Sequence, residues 1–163
     1  MTLRRGHPKA RSTGPDSSGS PIMQIEERVL EQAKKIALDP VHDPDGRLLA
    51  LIRDEVQRWR TDFARGRRDV DLSDPALVVD RVARNLAGYG PLEPLLDDED
   101  VWEIMINAPD QIFVKRHVGV SGYHDESFHD DEHVLRTMTR ILDDAAGSHR
   151  KLDPAEGLQD AQL

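Results

Sequence analysis

Gly88-Tyr89-Gly90-Pro91-Leu92-Glu93-Pro94-Leu95-Leu96, then Val101-Trp102-Glu103-Ile104-Met105-Ile106-Asn107, is where this 163-residue chain changes its periodicity. Before Gly88 the apolar residues return every three or four positions. After Asp100, Trp102, Ile104 and Ile106 alternate with Glu103, Met105 and Asn107, the period of a strand. Two glycines and two prolines stand at the crossing, where the chain must leave a helix and turn. The stretch therefore predicts helices first, strands second, and an α+β class.

Working back from Gly88, a helix is expected from Ser73-Asp74-Pro75 to that glycine, burying Val78, Val79, Val82 and Leu86. The helix before it follows the Asp43-Pro44-Asp45-Gly46 turn. Leu48, Ile52, Val56, Trp59 and Phe63 form its stripe, Gly66 its C′ residue, and Arg53, Asp54, Arg58 and Arg60 its solvent side. The first helix is expected to open at Ser20-Pro21, serine as cap and proline in the first turn, and to close at Asp39-Pro40. Its stripe is Ile25, Val29, Ala33 and Ile36; Glu26 and Glu27 early and Lys34 and Lys35 late suit the helix dipole. None of the three stripes is stable alone, which predicts a three-helix module over residues 21–88.

Forward of the crossing, Leu92–Leu96 reads as a short turn and Asp97–Asp100 as a solvated acidic loop. Asn107-Ala108-Pro109-Asp110 is turn chemistry and leads to a second strand, Gln111–Arg116, with Ile112 and Val114 on one face. A third short strand is expected near Val120–His124. A helix should then start at Asp130, bury Val134, Leu135, Met138, Ile141 and Leu142, and end near Gly147, with an extended segment at Leu158–Leu163.

Residues 1–20 are rich in glycine, proline and serine, and with Arg4, Arg5, Lys9 and Arg11 against Asp16 they read as a disordered, solvated basic tail. Residues 97–163 carry sixteen acids against six bases, so the chain, at net −9, repels phosphate backbones and no nucleic acid is expected as partner. There is no cysteine, which excludes disulfides, thiolate catalysis and cysteine-based zinc sites. No apolar run approaches the ~20 residues of a membrane span, and no signal peptide is visible, so a cytoplasmic location is expected.

From about Leu77 to Leu163 the chain resembles the amino-terminal part of the CpaF/TadA family, ATPases of Flp-type pilus assembly in the type II/type IV secretion superfamily. That family reads helix-Gly-x-Gly-Pro-Leu-Glu-x-Leu-Leu, an acidic loop, then Glu-Ile-Met-Val-Asn-Gly. Here the positions are Gly88–Leu96 and Glu103-Ile104-Met105-Ile106-Asn107-Ala108, with alanine for the last glycine. Gln111–Val114 matches a strand of the following pair. Phe128-His129-Asp130-Asp131-Glu132-His133-Val134-Leu135 matches the Phe-x-Asp-Asp-x-His-Leu helix start. Arg150-Lys151-Leu152-Asp153 and Asp160-Ala161-Gln162-Leu163 match Arg-Arg-Ile-Asp and Asp-Ala-Arg-Leu, with Gln162 in place of arginine.

The resemblance implies that residues 89–163 form an incomplete PAS-like antiparallel sheet with one packed helix. It also implies that the parent protein carries a RecA-like ATPase domain using ATP and magnesium. Further implications are a hexameric ring, inner-membrane secretion or pilus platform proteins as partners, and peripheral placement at the inner face of the cytoplasmic membrane. The expectation is an amino-terminal fragment serving ring assembly and partner docking. A phosphate-binding Gly-x4-Gly-Lys-Ser/Thr is missing: Gly14 and Gly19 have the spacing, but Ser20-Pro21 follows. No catalytic residue, and no ATP hydrolysis by this chain alone, is therefore expected. The alternative is a free-standing helical and PAS-like interaction module.

Four histidines, His117, His124, His129 and His133, lie among Asp125, Asp130 and Asp131. His129 and His133 have the spacing of a helix-borne metal pair, but His129 precedes the helix and Asp130 caps it. The two imidazoles are expected to stay on different faces and to hold no metal. Trp59 and Trp102 are expected in the core. Arg150, and more loosely Arg140, is implied by the resemblance to face nucleotide in the parent; read as residues alone, each is a surface arginine on an acidic domain.

Overall fold

The computed structural model describes residues 19–152, with side chains through Ser148. The tail expected over residues 1–20 falls almost wholly outside the described residues, as does the segment Leu158–Leu163. Three helices come first: α1 (Pro21–Lys35), α2 (Arg47–Ala64) and α3 (Pro75–Ala87). A 3₁₀ turn, Gly90–Leu92, and a single helical turn, α4 (Glu93–Leu96), form an elbow. Strands β1 (Val101–Ala108), β2 (Gln111–Arg116) and β3 (Gly122–Tyr123) make an antiparallel sheet in that order, and α5 (Asp131–Leu152) follows. The class is α+β with a partial sheet. Among the described residues, no helix is long and apolar enough to cross a membrane.

The starts of the helices follow their sequence signals. The Ser20 hydroxyl accepts from the Met23 N–H and the Asp74 carboxylate from the Leu77 N–H, each ahead of a proline that needs no donor partner. The end of α1 does not: it stops at Lys35, before Asp39-Pro40. Leu38 N–H bonds the Ala33 carbonyl and Ala37 N–H that of Lys34, a Schellman reversal with Ala37 at φ 53°. The reversal returns Leu38 to the core and leaves Ile36 exposed, against expectation. At α2 the same motif uses Gly66, at φ 71°.

Two apolar clusters result. Ile25, Val29, Ile52, Val56, Trp59 and Val82 centre the first, among α1, α2 and α3. Each such side chain contributes roughly 1.5–3 kcal/mol when fully buried. Phe63, expected in the stripe, is exposed, in the last turn of α2. The Trp59 indole donates to the Val70 carbonyl, and the Arg68 guanidinium lies 3.5 Å over its ring.

Leu92, Leu95, Ile112, Val114 and Phe128 centre the second cluster, with Val101, Ile104, Ile106, Val134, Met138 and Ile141 packed on it. Ile104 faces Val114 and Ile106 faces Ile112 across the strands. The pairing slips by one residue between Val101 and Glu103. That bulge lets Val101 rather than Trp102 share the inward face, so Trp102 is 55% exposed, a correction to its expected place in the core. The third strand has two residues, not five. On α5, Leu135 and Leu142 are exposed: Val134, Met138 and Ile141 supply the apolar contact, and buried His133 and Thr137 take the adjoining line. Gly147 lies inside the helix and does not end it.

Candidate functional site

Between the two clusters runs a polar seam, built by α1, α3, the elbow and the start of α5. Glu26, assigned above to the dipole of α1, is buried instead. One of its carboxylate oxygens accepts from the Asn85 amide at 2.7 Å, and the other lies 2.9 Å from His129 Nε2. Asn85 Nδ2 is also 3.4 Å from that imidazole nitrogen. The four-residue separation of His129 and His133 does bring the rings together, with centroids 4.9 Å apart. This corrects the expectation of separate faces. Asp130 caps α5 as expected, accepting from the His133 N–H, and the capped turn folds His129 back over His133.

His133 Nδ1 accepts from the His129 backbone N–H, which places the ring proton on Nε2. That Nε2 is buried without a hydrogen-bond partner among the described residues. Burial first, and the nearby charges of His129 and Arg136 second, push the His133 pKa down to about 4. The nitrogen faces Gly90, whose φ is +55°. A Cβ there would lie 3.1 Å from Asn85 Oδ1 and 3.2 Å from His133 Nε2. Two independent features thus favour glycine at this place in the elbow: the backbone angle and the polar atoms close to it.

A second set of contacts ties α3 to the chain ahead of α5. Arg84 binds Glu126 through two parallel bonds of 2.9 and 3.0 Å, and Arg81 Nε lies 3.5 Å away. Burial alone would raise the Glu126 carboxyl, but the Arg84 hydrogen bonds and the charges of Arg84 and Arg81 outweigh it and hold it low. The Glu126 bonds raise Arg84 in turn. The Arg140 guanidinium donates to the Gly88 carbonyl, and Tyr89 OH to Asp144. His124 Nε2 sits 2.9 Å from the Pro91 carbonyl, pinning the sheet to the elbow. Beside the seam, a cavity of about 430 Å³ is bounded by Met23, Leu30 and Val41 on one side and Glu132, Arg136 and Arg140 on the other.

Of the residues singled out in the sequence, the seam gathers His129, His133 and Arg140, and His124 joins it at the elbow. His117 stands apart, against exposed Trp102. Arg150 is on the last turns of α5, and its side chain lies outside the described residues. Among the described residues, no three His, Asp or Glu side chains are placed to share a metal ion. Asp98 and Asp100 do more than face solvent. Asp98 pairs with Arg116, and the Asp100 carboxylate accepts from the Val118 and Gly119 N–H groups at 2.8 and 2.9 Å. Hydrogen bonds to those ionised forms hold both carboxyls below the usual range. Sequence reading missed Glu26, Asn85 and Glu126; Asn85 amid the apolar spacing of α3 was the available signal. Chemically, the seam is a network of ionic and neutral hydrogen bonds suited to fixing one packed unit against another. Compared with known proteins, the chain matches no family model and no curated protein.

Proposed function

We propose that the chain is the amino-terminal part of a CpaF-like secretion or pilus-assembly ATPase, on the cytoplasmic side of the inner membrane, where it serves ring assembly and partner docking. In this reading, phosphoryl transfer belongs to a RecA-like domain with ATP and magnesium, outside this sequence. The observation that supports it most is the use made of Gly88–Leu96. The stretch that carries the resemblance is the elbow at which the two apolar clusters meet, with Gly90 at positive φ against the seam. Pro91, Leu92 and Leu95 are buried next to it. The motif therefore has a mechanical reason in this fold: it sets the angle between a helical unit and a sheet unit.

Mixing this chain with a CpaF-type ATPase from the same cell tests the reading. Native mass spectrometry should find hexamers of mixed mass, and turnover per ring should fall as inert subunits enter. An immobilised chain should also retain the cytoplasmic part of the pilus or secretion platform protein. If the chain joins no ring and retains no platform protein, the reading is wrong.

A further inference from the structure

Between α4, β1 and α5 lies an apolar groove of about 320 Å³, floored by Leu92, Leu95, Ile104, Ile106, Met138 and Ile141. Leu96 and Trp102, 48% and 55% exposed, stand along it. Its rim is acidic. Asp98 and Glu103 line it, and Asp97 and Glu99, on either side of Asp98, are exposed on the same loop. Lys115, which lies 5.1 Å over the Trp102 ring, pairs with Glu103, and Arg116 with Asp98, so the negative charge left at the rim is that of Asp97 and Glu99.

We propose that this groove receives a cationic amphipathic helix of a partner protein. A helix carrying large aliphatic side chains at i, i+4 and i+7 presents one apolar ridge to such a trough, and lysines or arginines beside that ridge would meet the rim. Charge decides against the other occupants. A second copy of this chain would set one acidic rim against another. Residues 153–163 carry Asp153, Glu156 and Asp160 and no base. Residues 1–18 have the right sign, but Gly6, Pro8, Gly14 and Pro15 interrupt any helical ridge.

The test uses the full chain and two labelled synthetic peptides of one pattern, leucine with lysine and leucine with glutamate, read by fluorescence anisotropy. The lysine peptide should bind saturably at one equivalent and weaken with added salt, and the glutamate peptide should not bind. Leu96→Ser and Trp102→Ser remove exposed apolar surface without changing net charge. Each should weaken the lysine peptide roughly tenfold while thermal melting stays that of the parent chain. Four results overturn the proposal: no binding, equal binding of the two peptides, indifference to both substitutions, or a self-association of the parent chain that Leu96→Ser abolishes.

Discussion

Ala37 holds a backbone angle, φ 53°, that an L-residue adopts at a cost, in a reversal where helices most often use glycine. Ala37→Gly should therefore stabilise the chain by about 1 kcal/mol in urea unfolding, despite the greater freedom glycine gives the unfolded state. Gly90→Ala should do the reverse and cost more, roughly 2 kcal/mol, because strain adds to crowding of Asn85 and His133. His133 gives the pH dependence. Its folded pKa of about 4 lies below the ordinary 6.5, so between those values the unfolded chain binds more protons. Stability from this residue is complete above about pH 6.5 and is lost as pH falls toward 4, by up to about 3 kcal/mol. The slope of unfolding free energy against pH over that window should be smaller in His133→Gln than in the parent chain. Equal slopes would show that the imidazole does not stay neutral.

At the scale of elements, the chain announces where helices begin better than where they end or what they bury. Ser20-Pro21 and Asp74-Pro75 name their caps outright, since each pair stands directly ahead of an apolar stripe with helical spacing. The end of α1 was not legible: Ala37 carries no sign that it will turn left-handed, and the Asp39-Pro40 signal lies a turn downstream. The position of Trp102 was hidden for another reason. Alternation assumes an unbroken ladder, and one bulge exchanges the two faces for every residue on its far side. Glu26 and Asn85 share their helices with apolar stripes, and only the approach of α5 makes them a site. The Asp97–Asp100 loop likewise read as solvated because its partners, Val118 and Gly119, are remote in sequence. Asp100→Asn keeps the size of that side chain but weakens its two charge-assisted bonds. Exchange of the Val118 and Gly119 amides should then accelerate at least several-fold while β1–β2 amides keep their protection. Unchanged exchange at both amides would mean that the tip holds its shape without the carboxylate.

Taken whole, the molecule joins two unequal cores through a polar boundary. Among the described residues, twelve buried apolar residues centre the helical cluster and five the sheet cluster, so the sheet unit should be the weaker of the two. What raises it toward its neighbour is the seam, above all the bidentate Arg84–Glu126 pair, whose side chains are 12% and 17% exposed. Removing one partner of a pair this enclosed costs more than a surface pair is worth, because the remaining guanidinium keeps Asp80 and the Gly90 carbonyl but loses both Glu126 bonds where little water can replace them. Glu126→Ala should therefore uncouple the units and not lower both together. Hydrogen exchange followed along the chain should show protection on β1 and β2 falling roughly thirtyfold, about 2 kcal/mol, while the centre of α2 keeps most of its own. Adding Glu26→Gln, which replaces the carboxylate that Asn85 and His129 contact, should widen the gap. If α2 and β1–β2 lose protection equally in both variants, the two clusters form one cooperative unit and the seam is a surface feature. If neither loses any, the elbow alone sets their angle, and Gly90 and Pro91 carry what is here assigned to Arg84 and Glu126.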